Sequence, residues 1–255
     1  MRRLTTYFAT VLAFAALAPS TASAQSTVNF FLGGFIPRSI DSRDPNDVIV
    51  AESTTGGCPS FNPCPLASAN QNAGIDMSEF NNITAGGEWV FGLGRKFEGG
   101  LGLGYYSKTV PTVYAFQTYS DGTDIQQSLR LRIIPFTATV RWLPIGRDAG
   151  VIPYVGAGVG VFSWKYTEQG YFILPSDQTT VIDASTNPYE ASGSATGPVI
   201  LGGVRVPIGT WAVGGEIRYQ NAKGDLPTTG NNAFIAPKID LTGFTYLFTI
   251  GFKFF

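Results

Sequence analysis

The stretch Phe244–Phe255 reads FTYLFTIGFKFF, and its regular alternation indicates the fold of the whole chain. Large apolar side chains occupy every second position, namely Phe244, Tyr246, Phe248, Ile250, Phe252 and Phe254. Successive side chains of a β-strand point to opposite faces of the sheet, so all six point the same way. The other face carries Thr245, Thr249, Gly251 and Lys253. A strand with one apolar and one polar face suits a barrel in a membrane, where lipid lies outside and water inside.

Seven further segments repeat this alternation and are separated by turn signals. They are Val28–Arg38, Asn82–Gly94, a third that starts at Phe97 and runs through Tyr105, Leu129–Trp142, Pro153–Tyr166, Gly197–Val206 and a seventh from Trp211 through Tyr219. The connections alternate in length. Those at 94–96, about 143–152 and 207–209 are short, and those near 39–78, 107–128, 167–194 and 221–240 are long. The pattern predicts an all-β protein, an eight-stranded antiparallel up-and-down transmembrane β-barrel with short periplasmic turns and long extracellular loops.

The amino-terminal residues predict export. Arg2 and Arg3 precede an apolar run from Tyr7 to Ala18, and small residues at Ala22 and Ala24 form a cleavage site before Gln25. This is the build of a secretory signal peptide, and the run is too short to span a bilayer as a helix. We therefore expect residues 1–24 to be cleaved and residues 25–255 to form a single outer-membrane β-barrel domain. The alternatives are an amino-terminal membrane anchor or a buried helix.

The strand pattern resembles the small eight-stranded outer-membrane barrels of Gram-negative bacteria, of the OmpA, OmpX and OmpW type. The resemblance covers nearly all of residues 25–255 and includes segments such as Pro153–Gly160, PYVGAGVG. It implies an integral protein of the bacterial outer membrane that contacts outer-membrane lipid.

The stretch Phe244–Phe255 also resembles the C-terminal sorting strand of these barrels, which typically ends in an aromatic residue. Here the alternation is anchored on Phe254, and Phe255 is one extra residue, a small departure from the usual pattern. The resemblance implies that the barrel-assembly machinery recognises this strand.

Composition excludes several functions. The chain contains no histidine, so Ser-His-Asp and Cys-His nucleophilic sites and His-based zinc sites are impossible in their usual form. Without Arg2 and Arg3, 15 of the 17 basic side chains remain against 18 acidic ones, so the net charge is −3. This balance gives no electrostatic footprint for nucleic acid. We expect no catalytic activity, no cofactor and no metal site.

Two cysteines, Cys58 and Cys64, lie six residues apart in the first long connection. In the oxidising environment of an exported protein, a disulfide between them is the default interpretation. A metal site with two thiolate ligands is the alternative.

Charged residues fall on the inward-facing positions of the predicted strands. They are Glu88, Glu98, Arg141, Arg205, Glu216 and Arg218. The interior of an eight-stranded barrel is just wide enough for side chains to fill, and buried charges must be paired. We expect Arg205 to pair with Glu216, and Glu88 to lie beside Glu98 with Arg141 or Arg218 nearby. Such a network either plugs the barrel or lines a narrow gated path. Inward glycines on the third and fifth strands either leave cavities or relieve crowding.

These features favour an outer-membrane barrel without catalytic activity that is structural or forms a narrow, porin-like channel for small solutes. The alternative is an adhesion or ligand-binding surface protein that acts through its long loops. Strand three continues toward a turn at Asp121-Gly122, which predicts a protruding hairpin. A barrel enzyme is disfavoured because such enzymes, as families, use histidine. A soluble lipocalin-like carrier would place its apolar residues inside.

Overall fold

The computed structural model describes residues 26–53, 75–173, 181–230 and 232–254. Eight strands in these ranges form one antiparallel sheet that closes on itself. They are β1 Ser26–Pro37, β2 Asn82–Gly92, β3 Phe97–Thr118, β4 Asp124–Trp142, β5 Ile152–Ile173, β7 Tyr189–Ile208, β8 Trp211–Gln220 and β11 Gly243–Phe254. Three short strands lie outside the ring, β6 Val181–Asp183, β9 Lys223–Asp225 and β10 Lys238–Asp240.

Pairing between the first and last strands closes the ring. β1 pairs with β11 from Ser26 opposite Phe254 to Pro37 opposite Gly243, and its other edge pairs with β2. Every other ring strand pairs with its neighbour along the chain. The predicted eight-stranded antiparallel barrel is therefore confirmed. Its closure removes the unpaired edges that an open sheet would expose to hydrocarbon.

The outer surface of the barrel carries an apolar belt. Alternate residues of each ring strand are exposed and apolar, including Leu32, Leu103, Phe136, Val159, Ile200, Ile217 and Phe248. Aromatic side chains lie at the ends of the belt, and near the short turns the rings of Trp211 and Phe252 are 3.9 Å apart. Aromatic girdles flank the lipid-facing band of outer-membrane barrels. Phe244, Tyr246, Phe248 and Phe254 are all exposed on this surface, whereas Phe255 lies outside the described residues.

One side of the barrel is much taller than the other. β3, β4, β5 and β7 contain 22, 19, 22 and 20 residues, and the other four ring strands contain 10 to 12. We call these four strands the tall wall. A tilted strand crosses the hydrocarbon with about 9–11 residues, so the tall wall projects beyond the belt.

The tall wall corrects two predicted loops. Most of residues 107–128 belong to β3 and β4, which form the protruding hairpin and leave only residues 119–123 as its turn. Gly122 has a φ of 84° there, a conformation that side chains with a Cβ rarely adopt. The second expected loop, 167–194, is also largely strand, and β6 pairs with the end of β5. Residues 174–180 lie outside the described ranges.

The two connections beside the short strands fold inward instead of outward. One runs from β1 to β2 and contains two 3-10 helices, Ile40–Ser42 and Met77–Phe80, and the α-helix α1 Val48–Ser53. The other joins β8 to β11 and contains β9 and β10. We call residues 40–53, 75–80 and 222–241 the loop plug. Among the described residues, no helix has the length and apolar character needed to cross a membrane.

The loop plug contributes half of an apolar core inside the tall wall. From the plug come the fully buried residues Val48, Ile49, Phe80, Ile239 and Leu241. From the wall come Tyr106, Val110, Leu129, Leu131, Ile133, Phe162, Trp164 and Tyr166. Burying such side chains stabilises a fold by about 1.5–3 kcal/mol each, which offsets the entropy lost in ordering the plug. The long-loop end of the barrel is thereby filled.

The exposed belt predicts that the cost of a charged substitution depends on its depth in the membrane. Phe248 lies at the middle of β11 and Phe254 near its end, and both side chains are more than half exposed. Phe248→Arg should destabilise the barrel by about 2–4 kcal/mol, because a cation at mid-membrane is poorly solvated. Phe254→Arg, the matched control near the interface, should cost about 0–1 kcal/mol. Urea unfolding in lipid vesicles measures both, and equal costs would mean that the belt does not face lipid.

Candidate functional site

The six inward charges lie together in the lumen at the short-turn half of the barrel. Glu88, Glu98, Arg141, Arg205, Glu216 and Arg218 are each less than a tenth exposed, and Arg141 is only 1% exposed. Five ring strands supply them: β2, β3, β4, β7 and β8. Inward-pointing charges on a closed, narrow ring have no other space to enter.

Arg141 is the centre of this network. Its Nη2 donates to Glu88 Oε2 at 2.5 Å and to Glu216 Oε2 at 2.7 Å. Glu216 also accepts hydrogen bonds from Arg218 Nη2 at 2.6 Å and from the Tyr154 hydroxyl at 3.1 Å. The guanidinium of Arg141 lies 4.8 Å from the centre of the Tyr154 ring. Every one of these carboxylates therefore has a cation beside it, as buried charges require.

A second pair joins opposite walls. Arg205 on β7 donates through Nη2 to Glu98 Oε1 at 2.8 Å. β4 and β5 lie between these two strands in the ring, so the contact spans the lumen. Arg141 on β4 likewise reaches Glu216 on β8 across two intervening strands. The network thus ties together strands that share no backbone hydrogen bonds.

The observed pairs differ from the expected ones. Arg205 contacts Glu98 and not Glu216, whose partners are Arg141 and Arg218. Glu88 and Glu98 do not form an isolated carboxylate pair, because Glu88 binds Arg141, with Arg218 Nη2 at 3.8 Å, and Glu98 binds Arg205. The expectation assumed partners on neighbouring strands. Because the lumen is narrow, a long arginine side chain on one wall reaches a carboxylate on a strand that is not its neighbour.

Inward glycines make room for these side chains and do not leave a channel. A Cβ added to Gly100 would lie 2.7 Å from Glu88 Oε1 and 2.7 Å from Thr139 Oγ1. A Cβ added to Gly156 would lie 2.6 Å from the backbone oxygen of Val140 and 3.1 Å from Arg141 Cγ. All four distances are shorter than ordinary van der Waals contact. The glycines of β3 and β5 therefore relieve crowding.

A polar latch holds the loop plug together at the other end of the lumen. Asp47 accepts from Arg43 Nε at 2.5 Å and from the Asp240 backbone N–H at 2.8 Å. Arg43 Nη2 donates to the backbone oxygen of Asp240 at 2.6 Å. Asp47 and Asp240 are fully buried. Because Arg43 and Asp47 belong to one connection and Asp240 to the other, the latch joins the two halves of the plug.

The surroundings shift the pKa values of two carboxyl groups in and beside the latch. Burial raises the pKa of the Asp47 carboxyl, although the Arg43 charge opposes the shift. At the exposed rim, a hydrogen bond from Lys223 lowers the pKa of Asp44 to about 2. Lys223 Nζ lies 2.8 Å from Asp44 Oδ2, a second contact between the two connections.

Little empty space separates the charge network from the loop plug. A cavity of about 30 Å³ lies between them, with room for only a few water molecules. Its walls include Phe31, Tyr106, Thr137, Arg218 and Gln220. The Gln220 side chain donates a hydrogen bond to the backbone oxygen of Leu241, and the Tyr106 hydroxyl donates one to the backbone oxygen of Phe80. The barrel wall therefore binds both halves of the plug. The charge network and the loop plug thus occupy the lumen in two successive layers.

Sequence reasoning missed the latch, the loop plug and Tyr154. The plug residues show no strand periodicity, so nothing in their order distinguishes an inward loop from an outward one. Tyr154 occupies an inward position of β5 that the alternation does identify. Cys58 and Cys64 lie outside the described residues, as do residues 1–25. In the described ranges, no three His, Cys, Asp or Glu side chains are grouped as a metal site requires.

Solved structures of small outer-membrane barrels resemble this one. The outer membrane protein OprG from Pseudomonas aeruginosa matches with a TM-score of 0.52 and 13% identity, over 91% of this chain and 96% of that chain. Neisserial surface protein A matches with a TM-score of 0.44 and 9% identity, over 90% and 97%. Ail from Yersinia pestis matches with a TM-score of 0.41 and 11% identity, over 91% and 99%.

At such low identities the likeness concerns the fold alone. No family model matches the sequence, and no curated protein does. The chain has the fold of the small outer-membrane β-barrels, and within that fold its own lumen is filled by six charges and a plug of two inward-folded connections.

The crowded lumen predicts that an inward glycine tolerates alanine less well than an outward one. Gly100→Ala should destabilise the barrel by about 1–3 kcal/mol, because Glu88 is held by Arg141 and cannot move aside freely. Gly34→Ala is the matched control on the outer face, where an added Cβ meets nothing within 4 Å, and its cost should be near zero. The urea midpoints of the refolded variants compare the two, and similar midpoints would contradict a packed interior.

Proposed function

We propose that the protein is an integral, non-enzymatic barrel of the bacterial outer membrane with a lumen that is closed at rest. In this proposal it acts as a structural membrane component, and solutes pass only when both closing layers open. The observation that carries the proposal is Arg141, which is 1% exposed and bound at the same time to carboxylates from β2 and β8. A guanidinium held in this way occupies space in a lumen that is just wide enough for side chains, which supports the closed resting state.

The outer-membrane location is supported by the closed ring, the apolar belt and the fold of the neighbours. The proposal includes a cleaved signal peptide at residues 1–24, a mature domain from Gln25 and recognition of Phe244–Phe255 by the assembly machinery. It also includes a disulfide between Cys58 and Cys64 in the first connection. Absence of catalysis is supported by the lack of histidine in the sequence.

A surface-binding role is the second candidate, and the tall wall favours it. The wall extends β3 and β4 as a hairpin to residues 118 and 124, well beyond the belt. Its hairpin and the end of β5 surround a surface cavity of about 730 Å³, lined in part by Thr112, Gln126, Gln169 and Tyr171. An extended, exposed sheet of this kind offers backbone and side chains to a partner at the cell surface.

The two closing layers predict how conductance depends on mutation. The wild-type protein in planar bilayers should show no sustained open state. Arg141→Ala weakens the charge network and Asp47→Asn weakens the latch, but each single variant keeps the other layer. Only the double variant should open frequently. Single-channel recording measures this, with heat-modifiable gel mobility used to select folded protein, since loss of a buried ion-pair partner costs about 3–5 kcal/mol.

Arg95→Ala serves as the control, because Arg95 lies on a short turn and its side chain is almost fully exposed. It should leave conductance unchanged. A wild-type protein that conducts steadily would contradict the closed lumen. A single variant that conducts as well as the double variant would show that only one layer closes the barrel.

A further inference from the structure

A row of cations lies on the outer face of the tall wall, directly beyond the apolar belt. Along β4 the outward residues change from Phe136 and Ile134 to Arg132 and Arg130. On β5 they change from Val161 through Ser163 to Lys165. Strand register places Arg132 opposite Ser107 on one side and opposite Lys165 on the other. The change from apolar to cationic therefore occurs at one level across neighbouring strands.

These cations outnumber their acidic neighbours. Arg132 and Lys165 are directly opposite each other on the same face, an arrangement that repulsion makes unfavourable. Lys165 pairs with Glu190 at 2.8 Å. Within the described part of the chain, Arg130 and Arg132 take part in no ion pair. One carboxylate thus faces three cations, and an external anion would remove the repulsion.

The same residues line a surface cavity of about 240 Å³. Its lining adds hydroxyl groups to the cations: Thr109, Ser128 and Thr167. Arginine, lysine and hydroxyl groups are the donors that phosphate oxygens accept from. The Thr167 hydroxyl lies 3.4 Å from Glu190 Oε1, the same oxygen that Lys165 binds. The lining of the cavity therefore combines three cations and three hydroxyl groups with one carboxylate, Glu190, and its net charge is positive.

Depth identifies the source of the anion. Arg132 is the next outward-facing residue of β4 after Ile134 in the direction of the hairpin turn, and it lies about 7 Å farther along the strand. The side chains just below, Tyr105, Phe136 and Val161, are exposed and apolar. A group in this cavity therefore lies immediately outside the hydrocarbon, where the phosphates of membrane lipids lie. Anionic headgroups attract basic side chains placed at this depth.

We propose that Arg130, Arg132 and Lys165 form a binding site for the phosphate-bearing headgroup of an anionic outer-leaflet lipid. The inference rests on the proposed membrane location and adds a specific lipid contact to it. The headgroup phosphate bridges Arg132 and Lys165, the acyl chains continue along the apolar belt below, and Arg130 contacts the outer part of the headgroup. Among the strands that the structure describes, only those of the tall wall continue past the belt at this level, so the lipid is held on one side of the barrel.

The test measures binding of diphosphoryl lipid A to the refolded full chain in phosphatidylcholine vesicles. The double variant Arg130→Gln/Arg132→Gln should weaken binding by about fivefold for each cation removed. The matched control Arg95→Gln/Lys96→Gln removes the same charge from an exposed short turn and should bind like the wild type. Equal binding by both double variants would overturn the site.

Two further measurements separate the sources of failure. Heat-modifiable mobility and protease protection report insertion into vesicles, so a chain that fails to insert overturns the membrane proposal and not the lipid site alone. Competition with inorganic phosphate distinguishes a lipid from a free anion. If inorganic phosphate displaces lipid A at equal concentration, the site binds soluble anions and the assignment to lipid is wrong. Resistance to such competition, together with loss in the Arg130 and Arg132 variant, supports the site.

Discussion

The ion pairs of Arg141 are the interaction around which the lumen is arranged. A guanidinium buried in a narrow barrel must have carboxylates within reach, and Glu88 and Glu216 supply them from two other strands. Glu216 then recruits Arg218 and Tyr154, while Glu98 and Arg205 form the neighbouring pair. Apolar side chains of equal volume could fill the same space at similar stability. What the charges add is a fixed arrangement of the strands. Each carboxylate binds a cation from another strand, and Glu216 also binds Arg218 of its own strand.

The rest of the fold accommodates this network. Inward glycines on β3 and β5 leave the volume that Glu88 and Arg141 occupy, and the loop plug shields the other end of the lumen with apolar side chains. Shielding matters because water in the lumen would weaken the ion pairs. The latch of Arg43, Asp47 and Asp240 holds the plug in one piece. The apolar belt and the cationic row of the tall wall lie on the outer surface of the barrel and are separate from this network.

Alternation in the sequence was sufficient to predict the strands, their order and which side chains face inward, because a period of two is a local property. It was not sufficient where outward residues become polar, as at Gln126 and Ser128, and there β4 was predicted to begin at Leu129 although it begins at Asp124. The inward residue Ile125 kept the alternation of β4 and was the signal to follow. Pairing of the charges, and the inward folding of the connections, depend on contacts between distant parts of the ring. No local pattern contains that information.

A double-mutant cycle between Glu98 and Arg205 tests the central claim most directly. The two side chains come from strands that do not pair, and only a closed, packed lumen brings them to 2.8 Å. Unfolding free energies of Glu98→Gln, Arg205→Gln and the double variant in lipid vesicles give their coupling energy. We predict a coupling of about 2 kcal/mol or more, as for close, desolvated charge pairs. A coupling near zero would mean that the charges are separated by water and that the lumen is open.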